Sequence, residues 1–228
     1  MKTVERDSLL FILAITSGSA DGWSYMGLGH VFVANMTGNT VLLGMAIFDE
    51  PHNILHPVIS LAWYAGGVAI GSLLTHKVKE GSLWSRSVAG VLFLEALLMI
   101  SAAVGWMRCG AKPNPRMQVV LLSCVAAGIG LQSGAMLALK LPGIITTYIT
   151  GTWTTLVSGV VRIGSGDVRG RRNQADFEDR LLIQIGFLAS YFLSAVVTGW
   201  MLHYAPSFVG GLTSISILLV VAYGALRH

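Results

Sequence analysis

Apolar residues gather along the chain into eight runs, at about Leu9–Gly27, Val31–Phe48, Pro57–Thr75, Ser87–Met107, Met117–Leu139, Ile144–Val161, Leu181–His203 and Phe208–Leu226. A helix needs about 20 residues to cross the hydrocarbon of a bilayer. The second and sixth runs are the shortest, and both carry polar residues in their interiors. Val31–Phe48 reads VFVANMTGNTVLLGMAIF, interrupted by Asn35, Thr37, Gly38, Asn39 and Thr40. Ile144–Val161 reads IITTYITGTWTTLVSGVV, with Thr150, Gly151 and Thr152 in the places of Thr37, Gly38 and Asn39. The shared plan predicts a duplicated unit, each copy holding one helix broken in its middle or re-entrant.

The correspondence extends to both sides of the break. Gly18-Ser19-Ala20-Asp21-Gly22 has a looser counterpart in Gly130-Leu131-Gln132-Ser133-Gly134, and Ala62-Trp63-Tyr64 resembles Ala189-Ser190-Tyr191. The repeat halves are thus expected at about 9–107 and 117–226 within one membrane domain, 1–228. The wider spacing of the second half is taken up by the polar run Gly164 to Arg180, read as a solvated loop. All six prolines fall in loops or at segment edges, where the missing backbone donor does little harm. Two topologies compete. If the broken segments dip in and return, there are six full spans and the halves face opposite ways; if every segment crosses, there are eight spans and the halves are parallel. Lys and Arg in the connections scarcely separate the two, and the six-span arrangement is preferred because paired polar breaks in opposed halves mark transporter binding sites.

Composition makes the bilayer the solvent: 54% of residues are hydrophobic and 11% charged, against about half and a quarter in soluble domains, and the mean hydropathy is +0.68. The expected fold is an all-α polytopic integral membrane protein with about six full transmembrane helices plus two broken or re-entrant ones, eight spans being the alternative. The net charge of +4 sits in short connections between apolar runs, which excludes a nucleic-acid surface and fits the positive-inside tendency. Lys2 and Arg6 ahead of Leu9–Ile15 could introduce a leader, but the chain stays apolar beyond Asp21 and the reading is an uncleaved first membrane helix. Cys109 and Cys124 form no spaced ligand set. Motifs for zinc hydrolysis, phosphate cradling or a nucleophile elbow are missing, so neither an enzyme nor a cofactor is expected.

Polar residues inside apolar runs are the candidates for function. Asp21 lies in the first run, and a carboxylate there is costly unless it faces protein, water or an ion. Asp21 is therefore a candidate for proton or cation coupling, with a helix-end cap as the structural reading. Glu95 lies deeper in its run with no basic residue near it in sequence, and is a second candidate for proton coupling. Asn35, Thr37, Gly38 and Asn39, with Thr147, Thr150, Gly151 and Thr152, offer hydroxyls and amides beside a flexible glycine, suited to a small polar solute or an ion between opposed walls. Gln132 and Ser133 stand where Asp21 stands in the first half, making the site asymmetric. No metal set is evident. Gly67 and Gly71, four apart, suit close helix packing, either within the chain or in a homodimer.

GSADGWSYMGLGHVFVANMTGNTVLLG, with the later TTYITGTWTTL, resembles the YoaK family of predicted bacterial inner-membrane proteins, whose shared unit is a domain of unknown function. The likeness covers nearly the whole chain and falls on Asp21, Thr37, Gly38, Asn39, Gln132, Thr146, Thr147, Thr150 and Gly151. It implies a multi-pass helical protein of the bacterial cytoplasmic membrane and supplies no substrate. The expected function is a secondary transporter or channel for a small solute or ion, with membrane lipids as its surroundings; the alternative is a non-transporting scaffold or assembly partner.

Overall fold

A computed structural model describes residues 3–48, 54–78, 85–138, 149–165 and 171–225. These form eight α-helices: α1 (Thr3–Gly27), α2 (Met36–Ala46), α3 (Leu55–Thr75), α4 (Arg86–Arg108), α5 (Pro115–Ala138), α6 (Ile149–Gly164), α7 (Arg171–Tyr204) and α8 (Val209–Ala225), with a short 3₁₀ turn at Pro206–Phe208. Five of them, α3, α4, α5, α7 and α8, are long and apolar enough to cross a membrane. The chain is therefore an all-α polytopic membrane protein. α1 has the length but not the hydropathy, because it carries Thr16, Ser17, Ser19, Asp21 and Ser24, all buried. α5 is likewise enclosed, with 72% of its most apolar stretch buried against 22% for α3 and 28% for α7. Without water to solvate them, polar side chains survive on the enclosed helices and apolar ones face lipid.

The helix neighbours follow a pattern. α1 packs on α7, α8 and α5; α5 packs on α3, α4 and α1; α4 lies against α8, α2 against α3, and α6 against α7. Exchanging α1–α4 for α5–α8 leaves this set of neighbours unchanged. The close approaches correspond residue by residue: a Cβ on Gly18 would strike the Tyr191 carbonyl oxygen, and a Cβ on Gly130 would strike that of Tyr64. Gly18 and Gly130, like Tyr191 and Tyr64, are the positions that the sequence repeat pairs.

The same contacts set helix directions. Along α1 and α7, Phe11 meets Gly186, Gly18 meets Tyr191 and Gly22 meets Ala195, so the numbers rise together and the helices run parallel. Along α3 and α5, Tyr64 meets Gly130 and Val68 meets Gly134, again parallel. α4 is antiparallel to α5, since Gly105 meets Leu121 while Met99 meets Gly128. α8 is antiparallel to α1 through Ser19–Thr213 and Thr16–Ser216 hydrogen bonds at 2.9 and 2.8 Å. α1 thus ends on the side where α3 begins, and Gly29, just past α1, lies against His56 in the first turn of α3.

Two expectations need correcting. The polar motif in Val31–Phe48 does not interrupt a helix; it begins one. Residues 28–35 are non-helical, and α2 starts at Met36 with Asn35 as its N-cap, accepting from the Gly38 amide at 3.1 Å. In the second half Thr150, Gly151 and Thr152 lie in the first turn of α6, which runs unbroken to Gly164. Ser, Thr and Asn satisfy helix-start amides better than they break a helix. The polar run 164–180 is also not all loop, because α7 is helical from Arg171 and 34 residues long. The segment RRNQADFEDR contains neither Gly nor Pro, so nothing in it opposes extension of the helix.

Candidate functional site

Non-helical backbone at membrane depth persists only where protein groups satisfy its hydrogen bonds. Residues 31–35 meet that condition through three side chains. The chain leaves α1 at Gly27, turns through Gly29 (φ +111°) and His30 (φ +57°), and folds back along α1. Gly29 supplies a backbone conformation that other residues adopt at a cost, and its lack of Cβ makes room for the His56 ring. The returning strand reaches the level of Asp21, six residues and about 9 Å before the end of α1.

Asp21 holds the strand by its carboxylate. Oδ1 accepts the Val33 amide at 2.7 Å and the Ala34 amide at 2.6 Å. Oδ2 accepts the Tyr191 hydroxyl of α7 in a short hydrogen bond. Asn39, fully buried in α2, grips the residue before: its Oδ1 accepts the Phe32 amide at 2.8 Å and its Nδ2 donates to the Phe32 carbonyl at 2.6 Å. Ser60 of α3 joins this cluster, accepting from Asn39 Nδ2 at 3.0 Å and donating to the same carbonyl. The re-entering strand is therefore clamped by α1, α2, α3 and α7 together. Asp21 and Tyr191 tie the first half of the chain to the second.

The remaining candidates separate. Asn35 and Thr37 are exposed, Gly38 is half-buried, and Asn35 caps its own helix. Thr150 and Gly151 are exposed, Thr152 is buried, and Thr147 lies outside the described residues. Thr155 accepts from Gln184 Nε2 at 3.0 Å, which fastens α6 to α7. The opposed walls expected from the two motifs are not formed: among the described residues α2 packs only on α3 and α6 only on α7. The physical reason is that each short helix is claimed by the next long helix of its own half.

Gln132 is buried on α5 and points to α1, donating to Ser17 Oγ at 3.2 Å. Ser133, the register mate of Asp21, donates to the Ile129 carbonyl of its own helix at 2.9 Å. The second half thus holds no equivalent of the carboxylate clamp at this position. Glu95 is fully buried on α4 facing Gly128, and among the described residues neither carboxyl oxygen has a hydrogen-bond partner. Gly67 and Gly71 are occupied inside the chain, where α5 lies directly against them. That surface is not free to join two copies.

Sequence reading missed Tyr191 and Ser60 as site residues. Tyr191 was visible only as a repeated aromatic, and Ser60 gives no signal before α2 and α3 are packed. On the side where α1 ends, a cleft of about 340 Å³ opens between Met26, Gly27, Trp106, Lys112, His203 and Pro206. Trp106 forms its inner wall, donating to the Pro206 carbonyl at 2.7 Å and standing edge-on to the buried Trp23.

Residues 9–224 match the family described as "Protein of unknown function (DUF1275)". The UPF0700 transmembrane protein YoaK of Bacillus subtilis (strain 168) is 34% identical over 157 residues, which are 68% of this chain and 67% of that protein. No solved structure matches. The match runs from Leu9 in α1 to Gly224 in α8 and includes the clamp residues Asp21, Asn39, Ser60 and Tyr191, so the chain belongs to the DUF1275 family of transmembrane proteins, to which the YoaK resemblance pointed.

Proposed function

We propose that this protein is a secondary transporter or channel for a small solute or ion, built of two related halves of opposite orientation with six full spans. The observation that carries the reading is the reversal at α2. α1 and α3 lie antiparallel with a short helix between them, and the strand leading into that helix is held inside the bundle by Asp21. At 11 residues α2 is about 16 Å long, roughly half of the hydrocarbon thickness. α5 and α7 are likewise antiparallel around α6. Short helices set between antiparallel long ones in two opposed halves, with exchange-symmetric packing, suit a pathway that opens to one side at a time.

Charge supports the orientation. Among the described residues, Arg108, Lys112 and Arg116 belong to the side where α1 ends, and Arg6, Lys77, Arg86, Arg162, Arg171, Arg172 and Arg180 to the opposite side. The positive-inside tendency then places the N-terminus in the cytoplasm of a bacterial cell, in its inner membrane. In this mechanism the Asp21 carboxylate is a latch. Proton or cation transfer to it removes the negative charge that strengthens the hydrogen bonds from the Val33 and Ala34 amides and the Tyr191 hydroxyl, loosening both the re-entrant strand and the contact between halves.

The test is flux in phosphatidylcholine vesicles containing the full-length protein, read as charge movement for monovalent cations and anions and as light scattering for small neutral solutes. Flux of one class that falls in Asp21→Asn is the expected result. Absence of flux for all three classes with folded, inserted protein would favour the scaffold reading.

A further inference from the structure

Glu95 has the opposite surroundings to Asp21. Asp21 receives three donors; Glu95, likewise buried, receives none among the described residues. Its side chain packs against Gly128, where the Met99 terminus also sits. The helices packed on α4 carry one charged residue, Arg116 at the exposed start of α5. Their titratable side chains are Cys124 on α5, one turn from Gly128, Tyr223 on α8, and His56 and Tyr64 on α3, with His76 just past its end. None supplies a counter-charge at Glu95. An ionised carboxylate without partners is costly in an apolar interior, whereas a neutral carboxyl is tolerated. The two protonation states therefore demand different surroundings, and loss of the proton has to be accompanied by movement that brings donors to Glu95.

Polar groups stand within a helical turn or two. Gln132, one turn beyond Gly128 on α5, bridges to Ser17 of α1. On α8, Ser214 is buried without a hydrogen-bond partner among the described residues, one turn from Gly210, which meets Ala103 of α4. Farther along α4, about three turns from Glu95, Trp106 at the cleft wall stands beside Trp23, whose buried Nε1 also has no hydrogen-bond partner among the described residues. These surroundings suit a proton and not a metal ion, which needs several oxygen ligands at once.

We infer that Glu95 is a proton-exchange site in the core between α4, α5 and α8, and that proton release there is tied to rearrangement of α4 against its neighbours. The carboxyl loses H⁺ to become a carboxylate and regains it in the reverse step. The inference rests on the transport reading for its purpose, but the proton site is testable without flux.

The experiment is carbodiimide labelling of the full-length protein in phosphatidylcholine vesicles over a pH series, with modified residues identified by mass spectrometry. Carbodiimides add to protonated carboxyls in apolar surroundings. Labelling at Glu95 is expected to fall about tenfold per pH unit beyond a single midpoint, as a one-proton titration requires. Infrared spectra of the same vesicles should show a carboxylic-acid carbonyl band that follows the same curve, persists in Asp21→Asn and is missing in Glu95→Gln. Labelling of Glu95 that is absent or does not change with pH would overturn the proposal. So would a titrating band retained in Glu95→Gln. Because the labelling arm uses the unmodified chain, a variant that fails to fold does not leave the proposal undecided.

Discussion

At the scale of single residues, the polar groups of the first half act on backbone. Asp21 and Asn39 together satisfy the amides of Phe32, Val33 and Ala34. Removing Asp21 leaves two of those amides without acceptors, each costing about 1–3 kcal/mol when buried. Asp21→Ala is therefore expected to lower the thermal unfolding midpoint in detergent by more than Tyr191→Phe does. The latter loses one hydrogen bond to a charged group, worth about 1.5–3 kcal/mol. The two substitutions share a partner, so the double variant should be less destabilised than the sum of the singles. Strict additivity would show that the latch does not join the halves.

At the scale of elements, two parallel helix pairs depend on small residues. The α3–α5 seam brings Gly67 and Gly71 against Ala127, Gly130 and Leu131, close enough that a Cβ on Gly130 would strike the Tyr64 carbonyl oxygen. In lipid no hydrophobic drive joins helices, so such contact packing decides association. Gly130→Val is expected to destabilise by about 3 kcal/mol, at the upper end of overpacking costs. Among the described residues nothing lies within 4 Å of a Cβ at Gly44 in α2, and Gly44→Ala should raise stability by about 0.8–1 kcal/mol through helix propensity. Equal melting of the two variants would refute the seam. The α1–α7 pair uses the same geometry with hydroxyls in place of two glycines, Ser194 and Thr198 facing Gly18 and Gly22.

At the scale of the whole molecule, the six-span reading predicts that the α1–α2 and α2–α3 connections face the same side. His30→Cys and Ile54→Cys, each in a background lacking Cys109 and Cys124, should both react with an impermeant thiol reagent in intact cells. Ser165→Cys, just past α6, should react only after disruption. Labelling of His30→Cys without Ile54→Cys would mean that α2 crosses, and the halves would then be parallel. The exchange-symmetric packing around α1 and α5 would in that case require another origin.

What the sequence determined by itself was whatever depends on composition and spacing. Long apolar runs specify helices in lipid because the backbone has no other way to satisfy itself there. Seven of the eight segments appear as helices within a few residues of the expected bounds at the ends described, apart from extensions into polar flanks such as Thr3 and Arg171. The eighth, Val31–Phe48, shows what spacing leaves open, since the same Thr, Gly and Asn can interrupt a helix or begin one. Asp21 stood out because a carboxylate in an apolar run is rare, and Tyr191 passed unmarked because an aromatic residue there is ordinary. Only the tertiary structure chose its partners: the Tyr191 hydroxyl and the amides of residues 33 and 34 meet Asp21 because parallel packing of α1 on α7 and the turn at Gly29 place them there. It also kept the two threonine-bearing motifs apart, since each short helix docks on its neighbour in its own half. Local pattern states how a segment satisfies its own backbone, whereas contacts between residues 170 positions apart follow from how helices pack, which no single segment encodes.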